Sequence, residues 1–158
     1  MEKEYLLSVT AQNNSGVLLR IAGLFSRRGY NILSIVAAQS EDSETSRLII
    51  VVKGDDRIVR QVEKQLCKIH DVIAVDVLND EEAVVREYLL IKVTRTSETN
   101  AHLVAIANVF HADVLNVSEN SMILELASNA KTLNSFVELF KPYGIEKILR
   151  TGAMAMTI

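Results

Sequence analysis

The spacing of apolar residues along the chain changes period several times, and each change marks an element. Tyr5-Leu6-Leu7-Ser8-Val9-Thr10 reads as a strand. After Asn13-Asn14-Ser15-Gly16, the residues Leu18, Ile21, Ala22 and Phe25 recur at i, i+3, i+4 and i+7, one face of a helix. Asn14 or Ser15 is placed to cap its start, and Arg27, Arg28 and Gly29 to close it. Residues 30–38, with Ile32, Ile35 and Val36, predict a second strand. A polar turn over 40–45 leads to Leu48-Ile49-Ile50-Val51-Val52, apolar enough for a strand buried on both faces. Gly54-Asp55-Asp56 starts a second helix, with Val59, Val62, Leu66 and Ile69 on one face. Ile73, Val75 and Val77 then alternate as a fourth strand.

A charged break, Asn79-Asp80-Glu81-Glu82, reads as a solvated linker, and beyond it the pattern returns. Tyr88-Leu89-Leu90-Ile91-Lys92-Val93 echoes the first strand. A helix opened by Ser97 or Thr99 carries Leu103, Ile106, Ala107 and Phe110. Two short strands follow, 113–117 and 122–126. Asn129 then opens a helix with Leu133, Phe136, Val137 and Phe140, Pro142 and Gly144 stop it, and 145–150 form a last strand. The order βαββαβ thus occurs twice, offset by roughly 83–85 residues (Tyr5 against Tyr88, Leu18 against Leu103). The expected fold class is α+β. It comprises two ferredoxin-like βαββαβ sandwiches, each an antiparallel sheet with two helices on one face. The boundaries are 1–78 for the first domain, 79–83 for a linker and 84–158 for the second. One-sided sandwiches leave a sheet face and long edges open, so at least a homodimer is expected.

Composition narrows function by exclusion. Acidic residues outnumber basic ones 20 to 17, which disfavours a general polyanion-binding role. The single cysteine, Cys67, precludes an internal disulfide framework or a CxxC pair. No apolar run reaches the ~18 residues of a membrane span, and the acidic start lacks the mark of a signal peptide, so a cytoplasmic location is expected. His70, His102 and His111 have no Cys or acidic partner at metal-ligand spacing. Asp55-Asp56 is better explained by capping than by acid–base work. No catalytic or metal site is expected. A nucleic-acid reading of the same topology would need aromatics on the central strand, and Leu48-Ile49-Ile50-Val51-Val52 has none.

The segment Asn13-Asn14-Ser15-Gly16-Val17-Leu18 carries the candidate chemistry. It joins a strand to a helix whose first-turn N–H groups and dipole favour an anion, and Gly16 lets a ligand approach the backbone. A carboxylate held there, with Asn13 left for an ammonium group, would suit an α-amino acid; a plain capping turn accounts for the same residues. Gly23, inside a helix, is tolerable if something packs closely against it.

The run from Asn14 to Ile32, NSGVLLRIAGLFSRRGYNI, closely resembles the start of the small regulatory subunit of acetohydroxyacid (acetolactate) synthase. Arg86-Glu87-Tyr88-Leu89-Leu90-Ile91-Lys92-Val93 resembles that family's second half, and Arg150-Thr151-Gly152 its terminal motif. The resemblance implies that the first half is an ACT domain and the second an ACT-like domain. It implies a non-catalytic chain that activates a separate catalytic subunit and confers feedback inhibition in branched-chain amino acid biosynthesis. Valine would bind at the ACT dimer interface. Asn13, Ser15, Gly16, Val17 and Leu18 would come from one protomer, and Asn31 and Ile32 from the other. Thiamine diphosphate, Mg²⁺ and FAD would reside on the catalytic partner, with no cofactor in this chain. The alternatives are a stand-alone ACT regulator of a different enzyme and a free-standing enzyme, the latter without any nucleophile–base pair to support it.

Overall fold

The computed structural model describes residues 3–79 and 82–158, so Asp80 and Glu81 of the expected linker lie outside it. In the first half, β1 (Lys3–Gln12), α1 (Val17–Arg28), β2 (Ile32–Gln39), β3 (Thr45–Gly54), α2 (Asp56–Leu66) and β4 (Val72–Leu78) follow in order. The second half repeats the order as β5 (Ala83–Thr94), α3 (Asn100–Phe110), β6 (Asp113–Val117), β7 (Ser121–Ser128), α4 (Ala130–Phe140) and β8 (Ile145–Arg150). A short extra strand, β9 (Met154–Thr157), ends the chain. The strand orders β2-β3-β1-β4 and β6-β7-β5-β8 are the same, and the pairings within each are antiparallel. Both halves are ferredoxin-like α+β sandwiches.

Two compact units result. One comprises Met1–Val85 with Gly152–Ile158, and the other Arg86–Thr151. The tail thus groups with the first unit, whereas the sequence boundary kept 84–158 together.

In the first unit the period-2 alternation of the strands selects the helix-facing set. Leu7, Val9, Ala11, Leu48, Ile50 and Val52 pack against Val17, Ile21 and Phe25 of α1 and Val59, Val62 and Leu66 of α2. The opposite sheet face is covered too. Ile49, Leu78 and Ala83 form a buried cluster joined by Leu6, Val85 and Ala155. That cluster encloses Ile49 while Leu48, Ile50 and Val52 join the helix-facing core; Val51 is buried as well, so the whole run Leu48–Val52 is buried, as its unbroken apolar pattern requires. β9 pairs with β5, and the Ile158 N–H donates to the Glu82 carbonyl at 3.0 Å.

The second unit is built around Leu89, Ile91, Val93, Met122, Leu124 and Leu126, with Leu103, Leu133, Phe136 and Phe140 from the helices. Phe136 sits edge-on to Phe110 (5.2 Å between centroids) and to Phe140 (4.8 Å). Among the described residues no helix is long and apolar enough to cross a membrane.

Helix starts match the sequence at α2, α3 and α4 and depart from it at α1. Asp55 accepts from the Ile58 N–H at 2.8 Å and Asn129 from the Thr132 N–H at 2.8 Å, as N-cap residues do. Neither Asn14 nor Ser15 caps α1: the N-cap is Gly16 at φ 83°, with no side-chain cap. Asn14 instead donates to Gln12 Oε1 at 3.0 Å. At α3 the N-cap is Thr99, whose hydroxyl engages Thr96 rather than the helix.

Candidate functional site

The end of β1 and the start of α1 meet the β2–β3 hairpin, and three hydrogen bonds fix the junction. The Asn13 N–H donates to the Glu44 carbonyl at 2.7 Å. The Asn13 amide donates to the Ser43 carbonyl at 3.0 Å and accepts from the Ser46 hydroxyl at 3.0 Å. Asn13 therefore holds the hairpin turn against the helix start. Its exposed amide retains one N–H and one lone pair beyond these bonds.

Beside this junction lies a cavity of about 270 Å³. Gln12, Asn13 and Asn14 form one wall, Val17 and Leu18 of α1 a second, and Ala37, Ala38 and Gln39 of β2 with Ser46 and Leu48 of β3 a third. The volume lies near the small end of the ~300–1,000 Å³ of ordinary ligand sites, a scale for an amino acid rather than a nucleotide. A wider polar recess of about 600 Å³ shares Gln12, Asn13 and Asn14 and continues to Asp42, Glu44 and Thr45.

Val17, Leu18, Ala37, Ala38 and Leu48 give the cavity its apolar surface, and Gln12, Asn13, Asn14, Gln39 and Ser46 its polar surface. The α1 end supplies first-turn N–H groups that lack a helical carbonyl partner. No acidic residue stands in that turn, so the positive end of the helix dipole is left unneutralised. The positive φ of Gly16 turns the chain into the helix without a side chain in the way. Arg20, one turn on, pairs with the largely buried Asp71 through Nε (2.9 Å) and Nη2 (2.8 Å), both to one carboxylate oxygen. A Cβ placed on Gly16 would lie 3.3 Å from the Arg20 guanidinium.

Of the residues proposed from sequence, Asn13, Val17 and Leu18 line the cavity, Gly16 stands at its helix corner, and Ser15 is exposed on the preceding turn. Asn31 and Ile32 do not line it. They stand at the opposite end of β2 from Ala37, roughly 17 Å along the strand for Ile32. One chain therefore does not bring the two groups together. Sequence reasoning missed Gln12, Ala37, Ala38, Gln39, Ser46 and Leu48. The available signal was Ala37-Ala38, two small residues of low strand preference after Ile35-Val36, which leave room beside the helix.

Among the described residues there is no group of three or more His, Cys, Asp and Glu side chains that could hold a metal. Cys67 is exposed.

Comparison with known proteins converges on one family. Residues 7–74 match a family described as the AHAS small subunit-like ACT domain, and residues 86–158 one described as the small subunit of acetolactate synthase. The "Probable acetolactate synthase small subunit" of Archaeoglobus fulgidus is 40% identical over 153 residues, covering 97% of this chain and 96% of that one. The acetolactate synthase small subunit of Mycobacterium bovis is 36% identical over 155 residues, covering 98% and 92%. The crystal structure of the small subunit from Thermotoga maritima superposes with a TM-score of 0.92 at 36% identity, covering 99% of this chain and 98% of that one. With this identity sustained across both halves, the chain belongs to the acetolactate synthase small-subunit family.

Proposed function

We propose that this chain is the non-catalytic regulatory subunit of acetolactate synthase. In this reading it activates a separate catalytic subunit and makes it subject to feedback inhibition by valine, within branched-chain amino acid biosynthesis. The observation that carries the sensor role is the cavity where the unneutralised start of α1 meets apolar walls from Val17, Leu18, Ala37 and Leu48. A carboxylate would take the helix N–H groups, the Asn13 amide would meet an ammonium group, and the walls would enclose a short branched side chain. Nearby methylenes are distinguished by only ~1–3 kcal/mol in such a pocket, so preference for valine over leucine or isoleucine rests on the family.

Asn31 and Ile32 lie away from the cavity in one chain, so they join the site only if a second copy supplies them; the family resemblance implies that arrangement, and at least a homodimer is part of this proposal. Thiamine diphosphate, Mg²⁺ and FAD are assigned to the catalytic partner, and a cytoplasmic setting, without membrane or nucleic-acid partners, belongs to the same proposal. The family match over 86–158 favours this reading over a stand-alone ACT regulator of another enzyme.

Reconstitution with the catalytic subunit tests it. The expected result is higher acetolactate synthase activity on adding this chain, then inhibition on adding valine. Activity unaffected by the chain would refute the regulatory role. Activation without inhibition by any branched-chain amino acid would refute the sensor role alone.

A further inference from the structure

The segment joining β1 to α1 is held from two sides within the first unit. Asn13 ties its middle to the hairpin turn, and Asp71 holds both of its ends. Asp71 is the residue before β4, which pairs with β1 on the side opposite β3. Its carbonyl accepts from the Gln12 N–H at 2.8 Å, one residue past the Ala11–Val72 step of that pairing. Its carboxylate holds Arg20 through Nε at 2.9 Å and Nη2 at 2.8 Å. The Arg20 N–H in turn donates to the Gly16 carbonyl at 3.0 Å. One residue thus grips the end of β1 by its backbone and the first turn of α1 by its side chain.

Asp71 is also the only buried polar or charged residue among the described residues of the first unit. A carboxylate taken out of water is costly unless it is paired, which favours the arrangement that keeps Arg20 against it. Neither Asp71 nor Arg20 lines the cavity. What they fix is where α1 begins, and so where its first-turn N–H groups stand beside Asn13, Val17 and Leu18. A segment already ordered at both ends and in its middle has little freedom left to lose when a ligand binds.

We propose that Asp71 is a positioning residue for the effector: it sets the start of α1 in the pose that receives a carboxylate, acting through Gln12 and Arg20 without touching the ligand. This rests on reading the cavity as the effector site.

Calorimetric titration of the full chain with valine tests it. Arg20→Ala and Asp71→Ala are each expected to weaken binding about tenfold, and the double variant no further than either alone, because the two act as one unit. Asp71→Asn keeps an acceptor for Arg20 and is expected to stay within about threefold of the parent. Val62→Ala truncates a fully buried side chain of α2 and leaves the clamp intact. It is expected to lose at least as much stability as Arg20→Ala on denaturant unfolding, yet to bind valine within about twofold of the parent. Hydrogen exchange at 12–17 in the ligand-free chain is expected to quicken about tenfold in both clamp variants. Affinity unchanged in Arg20→Ala and Asp71→Ala, or lost equally in Val62→Ala, would overturn the positioning role. Tighter binding in Asp71→Ala would overturn it too, since a freed Arg20 would then be contacting valine itself. A parent chain that binds no branched-chain amino acid would refute the effector reading and the positioning role with it; a parent that binds, with variants that bind equally, would refute the positioning role alone.

Discussion

The two units share one topology and treat the same corner in opposite ways. In each, the residue after the first strand donates its N–H to the facing hairpin: Asn13 to Glu44 at 2.7 Å, Arg95 to Asn120 at 2.8 Å. Asn13 uses its short amide to tie down the turn and leaves a cavity beside the helix. Arg95 extends a guanidinium across the corner. It donates to the Ser118 carbonyl at 3.0 Å, the Glu119 carbonyl at 3.2 Å and Asn100 Oδ1, in the first residue of α3, at 2.6 Å. The second unit places its own cation where the first offers an anion-favouring helix end. The scaffold is the same, but the first corner leaves a cavity with Val17, Leu18, Ala37 and Leu48 on its walls, whereas the second is bridged by its own arginine.

The ion pairs differ in the same spirit. Arg150 grips Glu87 with both prongs, whereas Arg20 places both nitrogens on one oxygen of Asp71 and is half exposed. Breaking them should give the largest contrast. Arg150→Ala removes a two-pronged pair and the bond to Asn134 and is expected to cost about 3 kcal/mol, against about 1 kcal/mol for Arg20→Ala, whose guanidinium is more exposed and holds a single oxygen, by denaturant unfolding. Equal losses would remove the distinction. Arg95→Ala is expected to cost about 2 kcal/mol, since two carbonyls lose a charged donor, and to create no amino-acid site, because the apolar walls of the first cavity are not supplied by deleting a cation. Valine binding gained in that variant would show the second corner to be a masked copy of the first. Gly16→Asp is expected to lower stability by about 1 kcal/mol, because the aspartate must take a positive φ, and to abolish the valine response while leaving activation of the catalytic subunit. Its carboxylate would lie beside Arg20 and repel a ligand carboxylate from the helix start.

The smallest effect is a pH dependence confined to the first unit. The Tyr5 hydroxyl bonded to Asp56, with Lys3 close by, holds the Asp56 carboxyl below its ordinary 3.8. The unfolded chain then takes up the proton first on acidification. Its stabilising contribution is complete above about pH 4 and is lost as pH falls through the lowered value. Asp56→Asn should therefore destabilise slightly at neutral pH and flatten the acid limb of the unfolding curve. An unchanged acid limb would count against the pairing.

Periodicity made most of this architecture legible beforehand. Local rules decided the Asp55 and Asn129 caps, since a short polar side chain before a helix needs only its own backbone as partner. The α1 start obeyed a different local rule: a left-handed Gly16 took the N-cap from Asn14 and Ser15. The cavity's third wall was hidden, because Ala37 meets the α1 corner only through the β2–β3 register. The tail was hidden for a similar reason, since β9 exists by pairing with β5, far from it in sequence. Arg95, an ordinary charge after a strand, shows its meaning only when Ser118 and Glu119 are folded beside it.

Titration calorimetry of the whole chain with valine tests the division of labour most directly. One valine per chain is expected, lost in Gly16→Asp and kept in Arg95→Ala. Two valines per chain, or binding that survives Gly16→Asp and disappears with Arg95→Ala, would contradict the assignment of sensing to the first unit.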